Sequence, residues 1–176
     1  MGAWGAIVMS FFGALFAALT LAFGFGWTGM MLGLPFSVFA VIAAAAAAVI
    51  RRPGQGISPS QQAERVIVWS SIAEGIGLFV AANVVTNLGH REMLLPAMAL
   101  VVGLHFLPMA HAIPFRPFYA LGIALLAAAA FGFAVGHTLG GTVSGFAAAA
   151  ALSVAALLAV RRDMQAKAAA SLSVST

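Results

Sequence analysis

The chain is predicted to be an all-α, polytopic membrane protein, a six-transmembrane-helix bundle of antiparallel hairpins, on three observations. Of its 176 residues, 63% are hydrophobic and only 7% are charged, and the mean hydropathy is +1.09, outside the range of water-soluble domains. Apolar runs of about 20 residues, the length that crosses the hydrocarbon core as a helix, recur six times. Glycine, proline or arginine interrupts each run, leaving no room for a soluble domain. A single domain over 1–163 is expected, with 164–176 as a flexible cytoplasmic tail.

The first helix is read over 4–24, from Trp4 to the glycine-rich Phe23-Gly24-Phe25-Gly26-Trp27 turn. It follows Met1 and Gly2 with no basic segment before it, so it is expected to be retained rather than cleaved as a signal peptide. The second, 29–50, ends at Arg51-Arg52-Pro53-Gly54, where two charges, a proline and a glycine oppose continuation into lipid. The third starts near Pro59, with Ser58 as N-cap, enters the membrane after Arg65 and runs to Leu88. Gly89-His90-Arg91-Glu92 allows only a tight turn, which places the fourth helix, 93–112, antiparallel beside the third. Pro114 and Pro117 break the chain around Arg116, and the fifth helix covers 118–136. Gly140-Gly141 is read as a turn before the sixth, 142–160, which ends at Arg161-Arg162-Asp163.

Counted on alternate sides of such a bundle, Arg51, Arg52, Arg65, Arg116, Arg161, Arg162 and Lys167 fall together, with Arg91 alone opposite. The positive-inside rule then puts both termini in the cytoplasm. This scattered placement makes no basic face, so nucleic acid is set aside as a partner. The lipid bilayer is the expected partner. The chain has no cysteine, which removes disulfides, thiolate metal sites and a cysteine nucleophile. Gly29/Gly33, Gly132/Gly136/Gly140 and Gly141/Gly145 have the spacing that lets helices approach closely, either within one chain or across a homo-oligomer.

Two ionisable residues stand out. A charge at the middle of a spanning helix costs on the order of 3 kcal/mol, so a carboxylate there needs a partner, a water-filled cavity or a proton. Glu74 is about nine residues past Arg65, roughly 13 Å deep. About a turn centred near His90, residues whose numbers sum to about 180 share a depth, which pairs Glu74 with Phe106 and leaves His105 one helical rise away. The one deep carboxylate and the one deep imidazole thus fall at nearly the same level. Ser70 and Ser71 lie on the face of Glu74, while Asn83, Thr86, Asn87 and His90 form a second polar stripe almost opposite. A helix polar on two sides is expected at the centre of the bundle.

His105 and His111 are about 9 Å apart along the axis and roughly 120° around it, unsuited to one metal. No second deep histidine exists for a bis-histidine haem, and no lysine sits in a span for a retinal Schiff base. There is no HExxH, GxSxG or phosphate-binding loop. No metal, no cofactor and no catalytic residue are therefore expected. The functional expectation is a permease or channel-like protein moving protons or a small solute, with Glu74 and His105 as a polar pair and Ser70, Ser71, Asn83 and Asn87 as secondary lining. The competing readings are a structural or assembly protein and a lipid- or quinone-linked membrane enzyme.

Gly103-Leu104-His105-Phe106-Leu107-Pro108-Met109-Ala110 resembles a motif in the fourth helix of an uncharacterised family of bacterial six-helix inner-membrane proteins. The resemblance implies a compact six-helix bundle in a bacterial inner membrane and no particular chemistry. Pro108 removes the backbone bond to the Leu104 carbonyl and is expected to kink the helix beside His105.

Overall fold

The computed structural model describes residues 2–54, 59–113 and 115–173. All regular structure among them is helical: α1 (Ala3–Phe25), α2 (Pro35–Ile50), α3 (Gln61–Asn87), α4 (Leu94–Ala112), α5 (Pro117–Val135) and α6 (His137–Ser173), with short 3-10 turns at Gly29–Gly33 and Arg91–Met93. Counting each 3-10 turn with the helix that follows it, six segments are long and apolar enough to cross a membrane. That is the helical content of a multi-pass membrane bundle.

Four helices make the core. α6 packs on α1 and α5, α5 packs on α4, and α4 also touches α6. Phe16, Val102, Met109, Phe118, Leu125 and Leu152 are fully buried where these four meet. α2 rests on the outside against α1 and, less extensively, α6, and α3 rests on the opposite flank against α4. Small residues set the spacing. A Cβ on Gly145 would strike the Thr20 hydroxyl, and one on Gly140 would strike the Gly132 carbonyl oxygen. These glycines are used within the chain, whereas nothing lies near Gly29 or Gly33.

The sixth helix departs from expectation at both ends. Gly140-Gly141 is not a turn: the chain reverses at Gly136 (φ 63°) and His137 (φ 51°), and both glycines sit inside the first turns of α6. Their lack of side chains serves packing, since a Cβ on Gly141 would lie 2.7 Å from the Glu92 carbonyl oxygen. At the far end, where a frayed tail was expected after Asp163, α6 continues to Ser173. Two buried side chains explain the continuation. Asp163 Oδ2 accepts the Ala3 N–H at 3.2 Å, so α6 supplies the N-terminal cap that Gly2 cannot provide. One turn later, Lys167 Nζ donates to the carbonyls of Val49, Ile50 and Arg52 at 2.9–3.0 Å. The last turn of α2 and its C-terminal dipole are thereby satisfied by one ammonium group.

Other boundaries shift for local reasons. The second span opens with the 3-10 turn, and Pro35 takes the first position of α2 proper. α3 begins at Gln61 because Ser60, not Ser58, is the cap, its Oγ accepting the Ala63 N–H at 3.2 Å. Ser58 and Pro114 lie outside the described residues.

The largest correction concerns α3. It is not central: only Ala63, Ser70 and Val85 are buried along it, while Trp69, Ile76, Phe79 and Leu88 are exposed. Its mixed faces are met by α4 on one side and, in a bilayer, by lipid on the other, which Asn83 tolerates by bonding to its own helix.

Replacing Lys167 by methionine keeps the bulk but removes the side-chain donor from the Ile50 and Arg52 carbonyls, while Val49 O keeps the Arg52 N–H at 3.1 Å, and should cost about 2–4 kcal/mol. The measurement is thermal unfolding in detergent. A melting temperature equal to the parent's would mean that the α6 extension contributes nothing to the bundle.

Candidate functional site

The seam between α3 and α4 brings two of the predicted residues together. Every third or fourth residue of α3, from Ala63 through Ser70, Glu74, Gly77 and Leu78 to Val85, is wholly or partly covered. That spacing is one face of a helix laid on a single neighbour. Gly77 permits the approach, because a Cβ there would lie 2.9 Å from Val101 Cγ1. Just past it, Glu74 Oε2 and His105 Nδ1 come within 3.5 Å, with the side chains 13% and 7% exposed.

The contact is electrostatic rather than a formed hydrogen bond, whose N···O distance is typically about 2.7–3.2 Å. His105 Nδ1 is buried and has no hydrogen-bond partner among the described residues. A carboxyl and an imidazole a fraction of an ångström short of bonding can share a proton when either helix settles slightly. Three residues beyond His105, Pro108 sits inside α4. With no N–H to donate to the Leu104 carbonyl, it loosens the ladder next to the histidine.

The remaining predicted residues divide. Ser70 is buried on the seam, but its Oγ donates to its own helix, to Ile67 O at 3.2 Å. Ser71, Asn83 and Asn87 are exposed. Asn83 Nδ2 donates to Phe79 O at 2.8 Å. A polar lining running from Glu74 to Asn87 is therefore not assembled within one chain. A cleft of about 410 Å³ opens where α3 starts and α4 ends, lined by Ser60, Gln62, Val66, Pro108, His111 and Ala112. It stops at Val66 and Pro108, two turns of α3 and one turn of α4 short of the pair.

Charged residues also gather at the other end of α4, where the sequence predicts a tight turn, with Arg91 as an orientation signal and His90 on the polar stripe. His90 Nδ1 lies 3.0 Å from Glu92 Oε1. Arg91 and Glu92 border a second cleft, of about 260 Å³, with Phe23, Gly24, Leu95, Thr138, Gly141 and Thr142. Reading the Gly140-Gly141 pair as a turn kept Thr138 and Thr142 off one helix face and hid this grouping. No group of three or more His, Cys, Asp or Glu side chains able to hold a metal occurs among the described residues.

The class defined by fold and site is thus a six-helix apolar bundle with a buried carboxyl–imidazole contact on its flank. Beyond that class, no known family, curated protein or solved structure matches the chain.

Since the chain has no cysteine, the seam can be probed directly. A Glu74→Cys, His105→Cys double variant should be cross-linked within one chain by a short bifunctional thiol reagent, and neither single variant should. Absence of the cross-link in folded protein would remove the contact.

Proposed function

We propose that the protein is a small permease or channel-like membrane protein in which Glu74 and His105 pass a proton along the α3–α4 seam. The observation that carries this reading is the pair itself. The two side chains belong to adjacent helices, are shielded from solvent and stand 3.5 Å apart. Intramembrane ionisable residues recur in proton relays because their charge is too costly to keep without a task or a partner. Glu74 takes up and releases the proton, and His105, with Nδ1 unbonded, receives it. Pro108 allows the small movement of α4 that opens and closes the 3.5 Å gap.

In this reading the six spans alternate in direction, both termini face the cytoplasm and the membrane is a bacterial inner membrane. The seven-to-one division of Lys and Arg supports the orientation. The cleft at Ser60 and His111 would then face the cytoplasm as the approach to the pair.

A second reading is favoured by the packing of α3, which among the described long helices is mainly against α4. There the pair fastens a flanking helix, as polar contacts between membrane helices do at roughly 1 kcal/mol each.

Proteoliposomes separate the two. Under an imposed pH gradient, the parent protein should carry proton flux, and Glu74→Gln should reduce it at least about tenfold with unfolding unchanged. Fastening alone predicts a lower melting temperature for Glu74→Gln and no flux in the parent. Flux that Glu74→Gln leaves unaltered rejects the relay.

A further inference from the structure

We propose that the cleft between the C-terminal end of α1, the Arg91–Met93 turn and the start of α6 binds a small zwitterion carrying one carboxylate and one ammonium group, as a short α-amino acid does. The site lies apart from the Glu74–His105 pair and does not depend on its role.

Three elements build the cleft, and its walls differ in chemistry. Its lining brings together Arg91 and Glu92, consecutive in sequence, and Thr138 and Thr142, one turn apart on α6. Phe23 and Leu95 form the apolar remainder. Opposite charges on neighbouring residues suit neither a simple anion nor a simple cation, since each would meet one favourable and one repelling group. A bipolar solute satisfies both: its carboxylate takes two parallel donors from Arg91, and its ammonium group faces Glu92. At about 260 Å³ the space is below the ~300–1,000 Å³ typical of drug-sized ligands, which limits the solute to a few heavy atoms beyond its two charged groups.

The surroundings hold these groups in place. His90 Nδ1 fixes one Glu92 oxygen at 3.0 Å. Thr142 Oγ1 donates to Thr138 O at 2.7 Å, so its lone pairs remain able to accept from an ammonium group. Glycines remove bulk from the walls: a Cβ on Gly24 would lie 2.6 Å from Thr142 Oγ1, and one on Gly141 would lie 2.7 Å from the Glu92 carbonyl oxygen. His137, next in sequence to Thr138, has φ 51°, the sole non-glycine residue with positive φ among those described. Such backbone conformations cost on the order of 1–3 kcal/mol and cluster at ligand sites.

The test uses the full chain in detergent micelles at fixed pH and ionic strength. Thermal unfolding is followed against increasing alanine, acetate or methylammonium. Alanine should raise the melting temperature saturably, while acetate and methylammonium should not. Arg91→Gln and Glu92→Gln should each raise the half-saturating concentration at least tenfold. Thr138→Phe, which fills the cleft from an exposed position, should abolish the effect. Glu74→Gln should leave it intact, so a failure of the relay reading is seen separately. Equal stabilisation by acetate, a non-saturating response to alanine, or binding undisturbed in all three cleft variants would overturn the proposal.

Discussion

One turn of helix past the apolar part of α6 holds two other helices by their ends. A spanning helix leaves its first N–H groups and last carbonyls unpaired, and near a bilayer these groups have few partners. Asp163 takes the first N–H of α1, and Lys167 takes the last carbonyls of α2. Both side chains are buried, at 5% and 7% exposure. Their charges are compensated by oppositely polarised helix ends, α1 offering its positive end to the carboxylate and α2 its negative end to the ammonium. The clamp ties the N-terminal end of α1 and the C-terminal end of α2 to the same stretch of α6.

The opposite flank is built on another principle. α3 has no such clamp and leans on α4 along one face, with Gly77 allowing close approach and Ser70, Glu74 and Val85 along the line of contact. The bundle therefore combines a tightly interlocked part, α1 with α4, α5 and α6, and a flank with fewer contacts. The ionisable pair belongs to the flank. A helix free to shift by a fraction of an ångström is where a 3.5 Å separation can become a hydrogen bond. In the interlocked part the same displacement would have to move several close-packed side chains at once.

Much of this was legible in the residues. Apolar run lengths and their Arg, Gly and Pro interruptions located the six helices, and the short Gly89–Glu92 connection fixed the level at which Glu74 and His105 meet. Periodicity could say which residues of α3 share a face but not how many neighbours the helix has, so its two polar stripes were read as centrality. Asn83 shows why: an amide that bonds to its own backbone needs no neighbouring helix. Gly140-Gly141 misled because a glycine pair serves a turn or a close contact equally well, and only the position of Glu92 decides between them. Asp163 falls at the expected end of the sixth helix and Lys167 in the expected tail. Nothing local marks a carboxylate whose partner N–H is 160 positions away.

The packing of α1 on α6 also bears on how the bundle is made. The two helices are the first and sixth in order, yet they form the most extensive contact in the molecule. In chain order, four helices separate α1 from this partner. Thr20 bonds to the Phe16 carbonyl, within its own helix, so α1 can wait in lipid without an exposed hydroxyl hydrogen. The interlocked core is therefore complete only with α6 in place, its charged end reaching Ala3 and Ile50.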